Sequence, residues 1–237
     1  CSEYELGISD AHDGIIHMPE DSKVGTLYID QMNLNDVMIE IGITPNRQDC
    51  LGVYGVARDL AAAGIGELKQ IELPKIKIGS ESPMNVMFEE EKGEKNYCSA
   101  FGSRYIKNVK NCESPQWLKD KLNSIGLKPI SALVDITNYI LFDYNRPLHV
   151  YDADKVSGNI IIRSAKKDEK FFGLDDKEYS LDEGMCVIAD EKKSLGLGGI
   201  LGGSSSACDI ATTNILLESA LFIPSNIANT GRKLFID

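Results

Sequence analysis

Residues 132–149 constrain this chain more than any other stretch. Asp135-Ile136-Thr137-Asn138-Tyr139-Ile140 runs on through Arg146-Pro147-Leu148-His149, and places an acid, a hydroxyl, an amide and one of only three histidines close together. Leu133, Ile136, Ile140 and Leu141 recur at helical spacing. Asp135 and Asn138 stand three apart, so they share a face and are expected to meet. Asn145 and Pro147 are turn residues that end the helix. His149 then falls just beyond a tight bend, where a rigid support can present a working side chain. A second polar cluster follows at Gly198-Gly199-Ile200-Leu201-Gly202-Gly203 and Leu216-Leu217-Glu218. We expect the two stretches to face each other across one pocket.

The bulk properties narrow the class. At 237 residues the chain can hold one large domain or two modest ones. Its net charge of −11 disfavours binding along a nucleic-acid backbone, although contact with an end is compatible with it. No apolar run matches a membrane span, and no signal-peptide pattern opens the chain. The cysteines at 1, 50, 98, 112, 186 and 208 form no close pairs. That argues against a CxxC zinc site and a disulfide scaffold, and for reduced thiols in the cytoplasm.

In chain order, residues 1–38 mix glycine, acids and short apolar pieces, and the start at Cys1 reads as a cut. Val37 to Ile43 alternates like a strand. The turn Thr44-Pro45-Asn46-Arg47-Gln48-Asp49-Cys50 follows, with Asp49 expected to cap a helix that carries Val53, Val56, Leu60 and Ala63 and stops at Gly64. Arg47 is expected to tie this turn down through a carboxylate such as Asp49. Ile71 to Ile78 is strand-like, but Pro74 demotes it to an edge or connecting strand. The acidic run from Glu89 to Lys95 reads as a solvated loop.

We place a domain boundary near 75–85, giving domains 1–78 and 79–237. The second opens on a strand from Cys98 to Ile106. Ser114 is expected to cap a helix starting at Pro115 that buries Trp117, Leu118, Leu122 and Ile125 and ends at Gly126. The single tryptophan thus reads as core. Strands are expected from Asn159 to Arg163, Met185 to Ala189 and Ile215 to Glu218, with a hairpin around Asp175-Asp176 and a helix from Pro224 to Leu234. The fold class is α+β: mixed and antiparallel sheets of short strands with packed helices, in two domains.

Gly196, Gly198 and Gly202 approximate a dinucleotide fingerprint, but a poor helix start follows, and no Gly-Lys-Ser/Thr makes a P-loop. A glycine floor that lets a ligand approach the backbone reads better, with sheet packing as the alternative. Glu218, ending an apolar strand, needs hydrogen-bond donors once buried, and a ligand hydroxyl or amine could supply one. The pattern holds neither a Ser–His–Asp arrangement nor metal-ligand spacing, so hydrolysis would need a positioned water.

Ile43 to Gly52 with Gly55-Val56-Ala57-Arg58-Asp59-Leu60 closely resembles the β subunit of bacterial phenylalanyl-tRNA synthetases. So do Val134 to Tyr139, Arg146 to Asp152, Gly198 to Gly203 and Leu216 to Glu218, in order over nearly the whole chain. The resemblance implies a fragment with an editing domain that hydrolyses tyrosine mischarged on the phenylalanine tRNA. It implies His149, Gly198 and Gly199 as catalytic residues, and Thr137, Asn138, His149, Gly198, Gly199, Gly202, Glu218 and Ala220 as substrate-binding residues, with Glu218 reading the tyrosine hydroxyl. It further implies an RNA-binding translation ligase in the cytoplasm. The partners would be an α subunit, two of each making the whole enzyme, and the aminoacylated end of the tRNA. No cofactor or metal belongs to this piece; ATP and magnesium would bind elsewhere in the whole enzyme. The family's pocket continues beyond the match to Arg232-Lys233-Leu234, so the C-terminal edge is expected to be truncated. A scaffold that only holds the α subunit and tRNA is the other reading.

Overall fold

A computed structural model describes residues 1–32, 34–77, 79–89 and 97–236. The chain separates into two compact units, Cys1–Glu40 and Ile41–Asp237. The first is mostly turns, with one short helix, α1 (Tyr28–Gln31). The alternation from Val37 to Ile43 does not become a strand; those residues have no ladder partner among the described residues, and alternation yields a strand only where one exists. Residues 71–77 likewise form no ladder. Most of the expected loop around Glu89 to Lys95 lies outside the described residues.

In the second unit a 3-10 turn, Pro45–Cys50, precedes α2 (Val53–Ala62), which ends before Gly64 at φ +75°. Asp49 does not cap α2, whose N-cap is Gly52. Its carboxylate is taken by Arg47 (Nε–Oδ1 3.0 Å) and by Arg58, and Arg47 also bonds Asp59 at 2.5 Å. Arg47 is therefore the expected turn brace.

The strands are β1 (Val86–Phe88), β2 (Cys98–Ile106), β3 (His149–Asp152), β4 (Ile160–Ser164), β5 (Glu169–Phe172), β6 (Glu178–Leu181), β7 (Cys186–Ala189), β8 (Ser194–Leu197), β9 (Leu201–Gly202) and β10 (Ile215–Phe222). The helices are α3 (Gln116–Ser124), α4 (Ala132–Tyr144) and α5 (Pro224–Leu234). A mixed sheet runs β1-β4-β7-β8-β9, an antiparallel one β2-β10-β3, and β5 and β6 form the hairpin expected around Asp175-Asp176. The α+β expectation is met.

Two apolar clusters follow from the period-2 alternation of strands. Ile160, Ile162, Cys186, Ile188 and Leu195 meet Cys98, Tyr151, Leu216 and Phe222 in one core, which joins the five-stranded and three-stranded sheets. Val187 and Leu197 pack with Phe171, Leu181 and Met185 in the other, beneath the hairpin. β7 is therefore buried along its whole length. Each fully buried Leu or Ile here contributes about 1.5–3 kcal/mol of transfer free energy.

α4 ends where expected, at Asn145 with φ 52°. Asp135 does not turn to Asn138. It is fully buried, accepting from Ser114 Oγ and, at 2.9 Å, from the Ile130 amide. Ser114 is thereby spent on Asp135 rather than on capping α3, whose N-cap is Pro115. Leu118 and Leu122 are buried, but Trp117 is 58% exposed and Ile125 42% exposed. The tryptophan is not core; it meets Tyr139 edge to face at 5.6 Å. Helical spacing identified the stripe but could not say how much of its width another element covers.

Candidate active site

The site is built on the three-stranded sheet. β10 is its middle strand, with Glu218 paired to Ser103 on β2 and to His149 on β3. Directly paired residues share a face. One row thus carries hydroxyl, carboxylate and imidazole. The neighbouring rows are Tyr105–Leu216–Tyr151 and Phe101–Ala220.

Glu218 is 5% exposed. Its Oε2 accepts from the hydroxyl of Tyr151, itself fully buried. Burial pushes the Glu218 carboxyl up to about 7, while the Tyr151 bond holds it down in part. Burial, and next the Glu218 charge, push the Tyr151 phenol well above its ordinary range. Burial holds the His149 imidazole down at about 4, so it is neutral at pH 7. Its ring lies edge-on to Tyr151 at 4.5 Å, and its Nε2 is sealed from solvent without a hydrogen-bond partner among the described residues. A half-satisfied carboxylate and an unpartnered imidazole nitrogen in one apolar setting retain the capacity to bind a polar group.

The glycines divide into two sets. A Cβ on Gly202 would stand 2.3 Å from His149 Cε1, so this glycine makes room for the imidazole. Gly196 faces the Tyr151 hydroxyl, its Cβ position 3.8 Å away. Gly198 and Gly199 instead lie against Phe222, with Cys186 beside the first and Ile227 beside the second. The Gly198 amide donates to the Cys186 carbonyl at 2.9 Å, so it is not free to donate to a ligand. Among the expected binding residues, Gly202, Glu218 and His149 come together, and Ala220 sits one row away. Thr137 returns its hydroxyl to the Val134 carbonyl at 2.7 Å. Asn138 is half-buried, and among the described residues no hydrogen bond joins it or Thr137 to the row.

Sequence reasoning missed Tyr151 and Ser103. Tyr151 had a signal, since it stands two residues after His149 on a strand and must share its face. Ser103 had none, because only the register of β2 against β10 brings it to Glu218. Elsewhere, Asp49, Cys50 and Asp59 hold potential ligand atoms within 4.8 Å of one another. Arg47 and Arg58 already balance those carboxylates, so the triad reads as an ion-paired brace. No helix among the described residues is long and apolar enough to cross a membrane.

The B3/4 domain family matches residues 97–237. The chain is 50% identical over 236 residues to the phenylalanine–tRNA ligase β subunit of Brucella abortus (strain 2308), and 49% identical over 237 residues to that of Rhodopseudomonas palustris. In both cases all of this chain is covered but only 29% of the relative. Among solved structures, an N-terminal fragment of the phenylalanyl-tRNA synthetase β subunit from Pyrococcus horikoshii aligns with a TM-score of 0.47 and 18% identity, over 77% of this chain and 55% of that one. That last likeness is too weak to build on.

Proposed function

We propose that this chain, which belongs to the B3/4 domain family, is a piece of a phenylalanine–tRNA ligase β subunit that hydrolyses tyrosine mischarged on the phenylalanine tRNA. The observation that carries the reading is Glu218: a buried carboxylate with one side-chain donor among the described residues, Tyr151, in a row with His149, whose Nε2 has no hydrogen-bond partner among them. A synthetic site cannot fully reject a substrate that only adds a hydroxyl, so a second site that demands the hydroxyl is useful. Glu218 makes that demand. A tyrosyl phenol donates to its remaining oxygen; phenylalanine desolvates the carboxylate and returns nothing.

The proposed editing domain spans 79–237. Glu218 reads the side chain, Gly202 and Ala220 shape the wall, the neutral imidazole of His149 closes the inner end of the row, and the attacking water is held by the terminal ribose of the tRNA. Water attack on the ester carbonyl releases tyrosine and leaves the proton on the ribose oxygen of the tRNA. The amides of Gly198, Ile200 and Gly203 bond carbonyls of the fold, and stabilising the oxyanion is assigned to the nucleic acid itself. Thr137 and Asn138 on α4 serve the tRNA end. In the whole cytoplasmic enzyme the partners are the α subunit, two of each kind, and the phenylalanine tRNA, with ATP and magnesium used away from this piece.

Deacylation of tyrosyl- and phenylalanyl-tRNA for phenylalanine tests the reading. Preferential tyrosine release that Glu218→Ala abolishes with the fold intact supports it. A scaffold would show a stability change alone.

A further inference from the structure

The row through Glu218 is unevenly covered. At one end His149 Nε2 is sealed, with Gly202 against the ring. In the middle Glu218 is buried, and at the other end Ser103 is exposed. Phe101 and Ala220, the next pair on that face, are half-buried. The face therefore opens towards β2. A group reaching Glu218 from solvent passes the Ser103 hydroxyl, whose Cβ stands about 4.5–5.5 Å from that of its cross-strand partner.

We infer that Ser103 is a specificity-determining residue that donates a hydrogen bond to the phenol oxygen of a bound tyrosyl group while that phenol donates its own proton to Glu218. The inference rests on the editing reading above. Its chemistry follows from what a phenol offers, one donor and acceptor lone pairs. Once ionised, at a pH above about 7, Glu218 only accepts, so it answers the donor and leaves the lone pairs bare. Tyr151 cannot answer them, because its single hydroxyl hydrogen is spent on Glu218 Oε2. The Ser103 hydroxyl makes no hydrogen bond among the described residues, and its proton is available on the side from which a ligand enters. Carboxylate and hydroxyl together test both halves of the phenol, so a site lacking either one discriminates less.

The experiment compares wild type, Ser103→Ala and Ser103→Thr by kcat/KM for release of tyrosine and of phenylalanine from the phenylalanine tRNA, with urea unfolding as the control for folding. Ser103→Ala is expected to slow tyrosine release about five- to tenfold, the worth of one neutral hydrogen bond. Phenylalanine release and the urea midpoint stay unchanged, and Ser103→Thr restores tyrosine release to within about twofold. A wild type that prefers tyrosine, with a Ser103→Ala variant that keeps the full preference or slows both esters equally, overturns this inference and leaves the editing reading standing. A wild type with no preference for tyrosine sinks the editing reading, and this inference with it.

Discussion

Asp135 and Glu218 are both buried acids, and the sequence presents both as candidates, yet the fold treats them differently. Asp135 sits where α4 begins and takes donors from Ser114 and the Ile130 amide, so its burial ties α4 to the segment before α3. Glu218 sits mid-strand between two sheets, with Tyr151 as its donor and the carboxyl raised to about 7. Burial alone does not mark a site. What separates the two is unspent hydrogen-bonding capacity, and their substitutions should part accordingly.

The largest effect is expected from Asp135→Ala. It strands the Ser114 hydroxyl and the Ile130 amide in the interior, at a cost of about 3 kcal/mol in urea unfolding. The tyrosine preference should survive wherever the variant is folded. Glu218→Ala should do the reverse, with stability within about 1 kcal/mol of wild type, because removing a desolvated carboxylate offsets the cost of leaving the Tyr151 hydroxyl without its acceptor. Tyrosine preference should fall about 100-fold. A Glu218→Ala variant as unstable as Asp135→Ala would erase the distinction.

Acidity sharpens the contrast. The Glu218 pKa is raised on folding from 4.5 to about 7, so its contribution is present below pH 4.5 and lost as pH rises towards 7. The His149 pKa is lowered from 6.5 to about 4, so its contribution is present above pH 6.5 and lost as pH falls towards 4. Each is worth about 3 kcal/mol at full extent, and between pH 4.5 and 6.5 they oppose. Glu218→Gln should therefore unmask a stability that climbs with pH in that window, and His149→Gln one that declines. Urea titrations at several pH values read both slopes; equal slopes in the two variants would refute the assignment.

Gly202→Ala is expected to cost about 1–3 kcal/mol, because the new methyl meets the His149 ring. It should cost tyrosine release more than Gly199→Ala does relative to stability, since Gly199 borders Phe222 and Ile227 instead. Activity per folded molecule checks this.

What the sequence made legible was local. α4 and its stop at Asn145, the strand from Cys98, the hairpin at Asp175-Asp176 and α5 all follow from period and turn chemistry. What stayed hidden was set by partners far along the chain. Val37 to Ile43 alternates but meets no ladder. Asp49 has the chemistry of an N-cap, yet two arginines claim it. Trp117 stands on the right stripe of α3, but at an edge that Tyr139 covers only in part. Glu218 and His149 were visible as residue types, but their pairing, Tyr151's bond and the position of Ser103 depend on the register of β2, β10 and β3.

The most direct test of the Glu218 assignment is release of amino acid from the phenylalanine tRNA by this chain, with tyrosyl and phenylalanyl esters side by side and Glu218→Ala as the control. We expect tyrosine to be released preferentially by the wild-type chain and the preference to vanish in Glu218→Ala at unchanged stability. Equal release of both esters by wild type, or a preference that persists without Glu218, would contradict the account.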